Sequence, residues 1–325
     1  MKNLFFASIL FLSLFSCNSN TEIIKTTATG KINSVLVIVD NDKWQGDVGD
    51  SIREVLAKSL EGFPQDEPRF NLSQISNRNF NKMLKHSRNI ISIEFKDENK
   101  FKVYKDKYAA PQRLITITTK DNNSLVEMLK IHEKEIVNVF NENDINTAQQ
   151  LLLKKYWDTK VYKIQSFQDN KISIKIPVVF QKVQDTLNYA YFRRDIPEGY
   201  QILQIYTIPI KSKEEFNGEN IIKYRNDKGK QYVPGAFDGS YMKTEEVYFP
   251  IQYINKTMLG RKTIETHGVW EMEVSSMAGP FLNYALLDQK NNRIIVVEGD
   301  VYAPNISKRD YLFELEALLK TLEIE

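Results

Sequence analysis

The chain has 325 residues, with 44 Lys and Arg against 42 Asp and Glu, and a single cysteine, Cys17. Near-neutral charge without a basic block excludes a nucleic-acid footprint. One cysteine so close to the start excludes a disulfide framework, thiol catalysis and a cysteine-ligated metal in everything after it.

Met1-Lys2-Asn3 is a short positive segment, and Leu4 to Phe15 carries no charge. A membrane span needs roughly 20 apolar residues, so this shorter run reads as a signal peptide over 1–16 rather than an anchor helix that stays in place. Leu14-Phe15-Ser16-Cys17 resembles a bacterial lipobox, although Phe15 is bulkier than the usual residue there. The resemblance implies cleavage before Cys17 and lipid on its thiol, with two or three acyl chains making attachment effectively permanent. About 300 residues remain after cleavage, enough for one large core or two ordinary ones.

Residues 17–33 read as the lipidated cysteine and a polar, Thr-rich tether. Val35 to Val39 is a continuous apolar run, which predicts a strand buried on both faces. Val48, Ile52, Val55, Leu56 and Leu60 recur at helical spacing, with Asp47 as cap and Gly62 as stop. A short helix around Phe80, Met83 and Leu84 precedes strands over 89–95 and 114–118. Leu125 to Phe140 is a strong helical stripe, followed by a second helix from Ile145 to Tyr156.

The texture changes near residue 160. Segments 161–167 and 171–178 flank Asp169-Asn170, a hairpin signal. Strands are expected over 189–194, 201–210, 247–254 and 262–274, with a long loop over 228–240. A last hairpin pairs 281–287 with 293–298. Ser307 and Asp310 suggest a capping box on a closing helix whose stripe is Tyr311, Leu315, Leu318 and Leu322. The expected fold is α+β: two packed α/β layer units, 34–157 and 158–325, the second an antiparallel sheet with a C-terminal helix.

Candidate chemistry is sparse. No Gly-x-Ser-x-Gly elbow and no phosphate loop are present. Gly46-Asp47-Val48-Gly49-Asp50-Ser51 follows a strand but carries acids and no lysine, so it suits a helix start better than a phosphate. Asp40, Asp42, Asp47 and Asp50 cluster near a strand end, where α/β ligands gather. As calcium ligands they lack the required spacing, so a solvated loop is the simpler account. On the 262–274 strand, Glu265, His267, Glu271 and Glu273 share one face by the period of two unless Gly268 introduces a bulge. Such a set can ligate zinc or act as acid and base. An ordinary wet face is the simpler account there too. The aromatics of the second half, including Tyr189, Tyr191, Tyr241 and Tyr253, fit either sheet packing or an interaction surface.

Leu14-Phe15-Ser16-Cys17, the Val35-to-Val39 strand leading to Trp44, and Gly268-Val269-Trp270-Glu271-Met272 together resemble an uncharacterised family of Bacteroidota envelope lipoproteins carrying a domain of unknown function. That resemblance spans nearly the whole mature chain and implies no activity and no catalytic residue. Asn18, rather than Asp, beside Cys17 favours the outer membrane. The absence of an acidic cluster after Cys17 favours its periplasmic face.

The expectation is therefore a non-catalytic binding or accessory lipoprotein, held to the membrane by lipid, with envelope proteins or glycan as partners and no cofactor. The alternative is a hydrolase or metal-dependent enzyme of the envelope. A pocket bringing several of the named side chains within hydrogen-bond reach favours the enzyme, and a broad aromatic surface favours binding.

Overall fold

The run Val35 to Val39 has no polar face, and strand β1 (Ser34–Ile38) is accordingly buried on both sides. The structure is a computed structural model that describes residues 25–155, 171–247 and 250–325. The signal segment, Cys17, the first part of the tether and the 161–170 arm of the expected hairpin lie outside the described residues.

The protein is α+β. In the first unit β1 pairs in parallel with β2 (Asn71–Ile75) and β3 (Asn89–Phe95). Strand β5 (Arg113–Thr119) continues the parallel ladder, and β4 (Lys100–Lys105) closes it antiparallel. The order is β2-β1-β3-β5-β4. Both edges are polar at alternate positions, which is why β2 and β4 escape an apolar-run reading. One short helix, α1 (Asn41–Trp44), follows β1, and α2 (Asp47–Leu56) follows it. Helices α3 (Asn122–Ile131) and α4 (Glu133–Lys155) join α2 over one sheet face. There Val48, Ile52, Leu125, Leu129, Ile136 and Phe140 pack on Val35, Val37, Ile91 and Ile115.

Four local expectations are corrected here. The N-cap of α2 is Gly46, and Asp47 is its first helical residue, making no side-chain cap. The helix ends at Leu56, so Leu60 and Gly62 belong to the next loop. The break in the long helical stripe falls at His132 rather than after Phe140. Helix α4 runs on through Asn143 and Asp144 because these polar residues are buried in a hydrogen-bonded group with Asn33 and Asn89. Finally, the tether stops short of residue 33. The Ala28 N–H donates to Ala110 O (2.9 Å) and the Thr29 N–H to His86 O (2.8 Å), so this segment docks on the first unit.

The second unit is antiparallel throughout. Its strands are β6 (Ile172–Ser173), β7 (Gln181–Thr186), β8 (Tyr189–Ile196), β9 (Gly199–Pro209), β10 (Met242–Thr244), β11 (Ile251–Met258), β12 (Arg261–Met272), β13 (Ala278–Asp288) and β14 (Arg293–Tyr302). The main sheet runs β10-β12-β13-β14-β9-β8-β7, with β11 also on β12. Strand β15 (Glu323–Ile324) pairs with β6, so the expected 171–178 strand shrinks to two residues and Ile174 and Ile176 enter the core as loop residues.

Each sheet face carries a helix. The α6 helix (Arg309–Leu319) sets Leu312, Leu315, Leu318 and Leu319 against Leu203, Leu282 and Val297. Helix α5 (Gly218–Tyr232) covers the other face, and its last turn takes in the first residues of the loop expected over 228–240. Its inner side presents Ile221, Arg225 and Gly229, which is not an apolar stripe. Gly229 lies so close to β10 that a Cβ would sit 2.0 Å from Met242 O.

The units are packed directly together. Ile145 and Ala148 of α4 meet Phe313 and Ala317 of α6, and Gln149 Nε2 donates to Ala317 O at 2.9 Å. The Ser307/Asp310 capping box does not form. Instead Glu67 of the first unit accepts the backbone N–H groups of Lys308 (2.8 Å) and Arg309 (2.9 Å) and the Ser307 hydroxyl. Among the described residues no helix is long and apolar enough to cross a membrane.

Candidate functional site

Strand β12 obeys the period of two. Ile264, Trp270 and Met272 face the α5 side, while Glu265 and His267 face α6 and the first unit. The register with β13 is continuous through Gly268, so no bulge lies there on that side. Gly268 is needed because the Phe281 ring leans on it, 2.7 Å from where a Cβ would be. The bulge falls instead on the neighbouring pair, between Tyr253 and Lys256 of β11.

Glu265 and His267 line a cleft of about 690 Å³ between the two units. His267 Nε2 lies 2.8 Å from Glu265 Oε1, and Lys256 Nζ lies 3.5 Å from Glu265 Oε2. Burial alone would push the Glu265 carboxyl up, but the hydrogen bond and charge of His267, with Lys256, hold it below its ordinary value. The Tyr253 ring meets the His267 ring edge-on at 5.7 Å. Its hydroxyl donates to Glu61 Oε2 of the first unit at 2.8 Å. Burial, and then that carboxylate, push the Tyr253 phenol up to about 12. Phe63, Leu282, Leu312 and Phe313 give the cleft its apolar part.

The first unit's loop is pressed onto this wall. Gly62 has φ +79°, and a Cβ there would be 2.9 Å from both Gly268 N and His267 C. The glycine read as a helix stop is therefore the point where one unit's backbone rests on the other's β12.

Glu271 does not join this group, which corrects the four-residue face. It sits toward the far end of β12, where Lys243 Nζ pairs with it (3.3 Å) and with Glu273 (2.7 Å). Val269, buried, intervenes on the shared face. Asp40 and Asp42 line a separate, open crevice at the C-terminal ends of β1 and β3. Asp47 is not part of it. There Asp40 accepts the Asn77 N–H at 3.4 Å, and Lys43 reaches Asn122 Oδ1 at 2.9 Å. The start of α3 in this crevice is already capped by Asp121, which accepts the Ser124 N–H at 2.8 Å. Among the described residues no three or more His, Cys, Asp or Glu side chains are arranged to hold a metal ion.

Two features were missed from the sequence. Glu61 lies in a loop without a pattern of its own, and its partner Tyr253 is far along the chain. Of the buried charges, Arg225 precedes the loop expected over 228–240, Glu298 ends the expected 293–298 strand and Asp300 lies beyond it, so nothing marked them as a cluster.

A family model described as "Domain of unknown function (DUF4837)" matches residues 159–321, and one described as "Domain of unknown function (DUF8532)" matches residues 28–153. No curated protein matches the sequence. Among solved structures, the Ran-binding protein Mog1p of Saccharomyces cerevisiae is similar at 7% identity and TM-score 0.32, over 47% of this chain and 90% of that one. A Bacteroides thetaiotaomicron protein is similar at 12% identity and TM-score 0.26, over 48% of this chain and 45% of that one. The lipid transfer and protein localization domain of human StarD13 is similar at 7% identity and TM-score 0.22, over 44% and 88%. At these TM-scores none of the three bears on what the chain binds.

Proposed function

The chain belongs to the family described as "Domain of unknown function (DUF4837)", and from that premise we propose that it is a lipid-anchored, non-catalytic binding protein of the bacterial cell envelope, taking a polar ligand into the cleft between its units. The anchor rests on Leu14-Phe15-Ser16-Cys17 at the end of an uncharged apolar run. Outer-membrane attachment facing the periplasm rests on Asn18 and the lack of an acidic cluster after it.

The observation that carries the binding reading is the 2.8 Å hydrogen bond from Tyr253 to Glu61 across the cleft. It ties the two walls together, so the concavity is formed before any ligand arrives, and a preformed site loses less ordering entropy on binding. The lining mixes carboxylates such as Glu61 and Glu265, amides such as Asn138, cations such as Arg69 and Lys256, and the rings of Tyr253, Phe63 and Phe313. Planar polar groups beside aromatic faces suit the hydroxyls and apolar ring faces of a saccharide, so glycan is the ligand class. Calorimetry of the purified chain with soluble envelope-glycan fragments tests this. Saturable binding weakened by Glu265→Gln and by Tyr253→Phe supports it. No binding by any fragment, or an affinity indifferent to both changes, rejects it.

One observation favours the enzymatic alternative: Glu265 and His267 are within hydrogen-bond reach in a cleft wall. A carboxylate-oriented imidazole is a general-base arrangement. His267 has no hydroxyl nucleophile among its hydrogen-bond partners in the described residues, which weighs against it. Product release from glycan or ester substrates that disappears in His267→Ala would establish the alternative, as would one zinc per chain lost in that variant.

A further inference from the structure

Beneath α5 the second unit buries charge that the cleft does not use. Arg225 Nε lies 2.9 Å from Glu298 Oε1 and its Nη2 lies 3.0 Å from Asp300 Oδ1, with side-chain exposures of 3%, 1% and 0%. One cation thus faces two acids in a buried core. The groups around them come from every neighbouring strand. Gln204 Nε2 of β9 donates to Asp300 Oδ2 at 2.8 Å, and Asn283 Nδ2 of β13 donates to Glu298 Oε2 at 2.7 Å. Arg225 Nη1 donates to Thr244 Oγ1 of β10 at 3.0 Å, and its guanidinium lies 3.8 Å from the Phe281 ring centroid. Tyr189 of β8 donates to Gln204 Oε1 at 2.8 Å. Tyr191 of β8, with Tyr200 and the wholly buried Tyr206 of β9, complete the titratable surroundings, and burial first of all keeps all four phenols protonated.

The amides and tyrosines supply hydrogen bonds but no second positive charge. Two ionised carboxylates here would leave a net negative charge in the core, the most costly arrangement for a buried group. Adjacent carboxyls relieve it by keeping one proton between them.

We propose that Glu298 and Asp300 hold one proton in the folded protein, carried on Asp300, so that α5 is fastened to the sheet by a cation, a carboxylate and a neutral acid, and loosens when that proton is lost at alkaline pH. Burial, and then the neighbouring Glu298, push the Asp300 carboxyl well above its ordinary value, while Arg225 and Gln204 oppose the rise. A raised folded-state value fixes the sign. The contribution is complete below the ordinary value of 3.8 and is lost as pH climbs through the raised one. The site is independent of the cleft and stands whether or not the cleft binds glycan.

Infrared spectroscopy of the full chain at about pH 7.5 reads the proton directly, since a buried neutral acid has a carbonyl band distinct from carboxylate. The expected result is one such band in the wild type, lost in Asp300→Asn and also in Glu298→Gln, where one cation then faces a single acid. Hydrogen exchange over residues 218–232, corrected for the intrinsic rate, should quicken about tenfold at alkaline pH in the wild type and not in Asp300→Asn. If Asp300→Asn does not fold, ¹³C-aspartate labelling of the wild type must shift the band. No neutral-acid band, a band that ¹³C-aspartate leaves in place, or exchange over α5 that is indifferent to pH would each overturn the proposal.

Discussion

Glu67 caps a helix that begins 242 residues later: its Oε1 accepts the N–H of the N-cap residue Lys308 at 2.8 Å. Its Oε2 accepts the Arg309 N–H at 2.9 Å, and Arg309 Nη1 returns to Pro68 O at 2.7 Å. An acidic group at the start of α6 satisfies two amides that have no intrahelical acceptor and meets the positive end of the helix dipole. Because the cap comes from the first unit, the hydrogen bonds that finish α6 also fasten the units together.

Glu67→Ala should therefore cost more than a surface cap. Buried hydrogen bonds to a charged group contribute ~1.5–3 kcal/mol each, against ~1 kcal/mol for a typical N-cap. Urea unfolding should show a loss of at least ~2 kcal/mol, with Glu67→Gln closer to wild type. Equal stability of Glu67→Ala and wild type would mean the cap contributes nothing.

Gly62→Ala tests the loop that rests on β12. The residue has φ +79°, and its new Cβ would lie 2.9 Å from backbone atoms of His267 and Gly268. Neither strain can be relieved by a rotamer change, because the obstructing atoms are main chain. The expected cost is ~1–3 kcal/mol. Limited proteolysis should cut near residues 57–69 sooner than in the wild type, and a cleavage pattern identical to wild type would refute the contact.

The parts of the fold that could be read in advance are those whose burial is apolar and periodic. Strand β1, the α3 and α4 stripe and the alternation of β12, with Ile264, Trp270 and Met272 on one face and Glu265 and His267 on the other, are examples, since each announces its buried side by spacing alone. The rest is hidden for a physical reason. Helix α5 buries Arg225 and Gly229 rather than a hydrophobic stripe, one for ion pairing and one for close approach to Met242, so no helical spacing announces it. Half of the candidate site was equally hidden. Glu61 reaches Tyr253 across 192 residues, and only the packing of two units brings them together. Glu271 shows the converse error: sharing a strand face is not sharing a site, because one intervening buried residue and Lys243 are enough to separate it.

Cys17→Ser tests the anchor. If the lipobox resemblance holds, the wild type should incorporate a clickable fatty acid and the mutant none, remaining as unprocessed precursor. Detergent partitioning should follow the label, since two or three acyl chains hold far more firmly than one. Equal labelling of both proteins would remove the anchor from the proposed function.

Asp144 carries the clearest dependence on acid pH. It is fully buried in α4, where Oδ2 accepts the Asn33 N–H and Asn89 Nδ2, each at 2.9 Å. The Arg88 guanidinium is 3.7 Å from Oδ1, too long for a hydrogen bond. Burial outweighs these partners and pushes the carboxyl up from 3.8 to about 6. The folded state therefore prefers the neutral acid, and this contribution is complete below about pH 4 and lost as pH rises through about 6. A rise of that size corresponds to roughly 3 kcal/mol. Asp144→Asn removes the titration while keeping an acceptor for the Asn33 N–H. The stability of wild type relative to Asp144→Asn should accordingly fall between about pH 4 and about pH 6.5 and level off above it. Chemical unfolding of both proteins across that range is the measurement. A difference that grows with pH would show that Asp144 is held ionised, with Arg88 and the two hydrogen bonds outweighing burial.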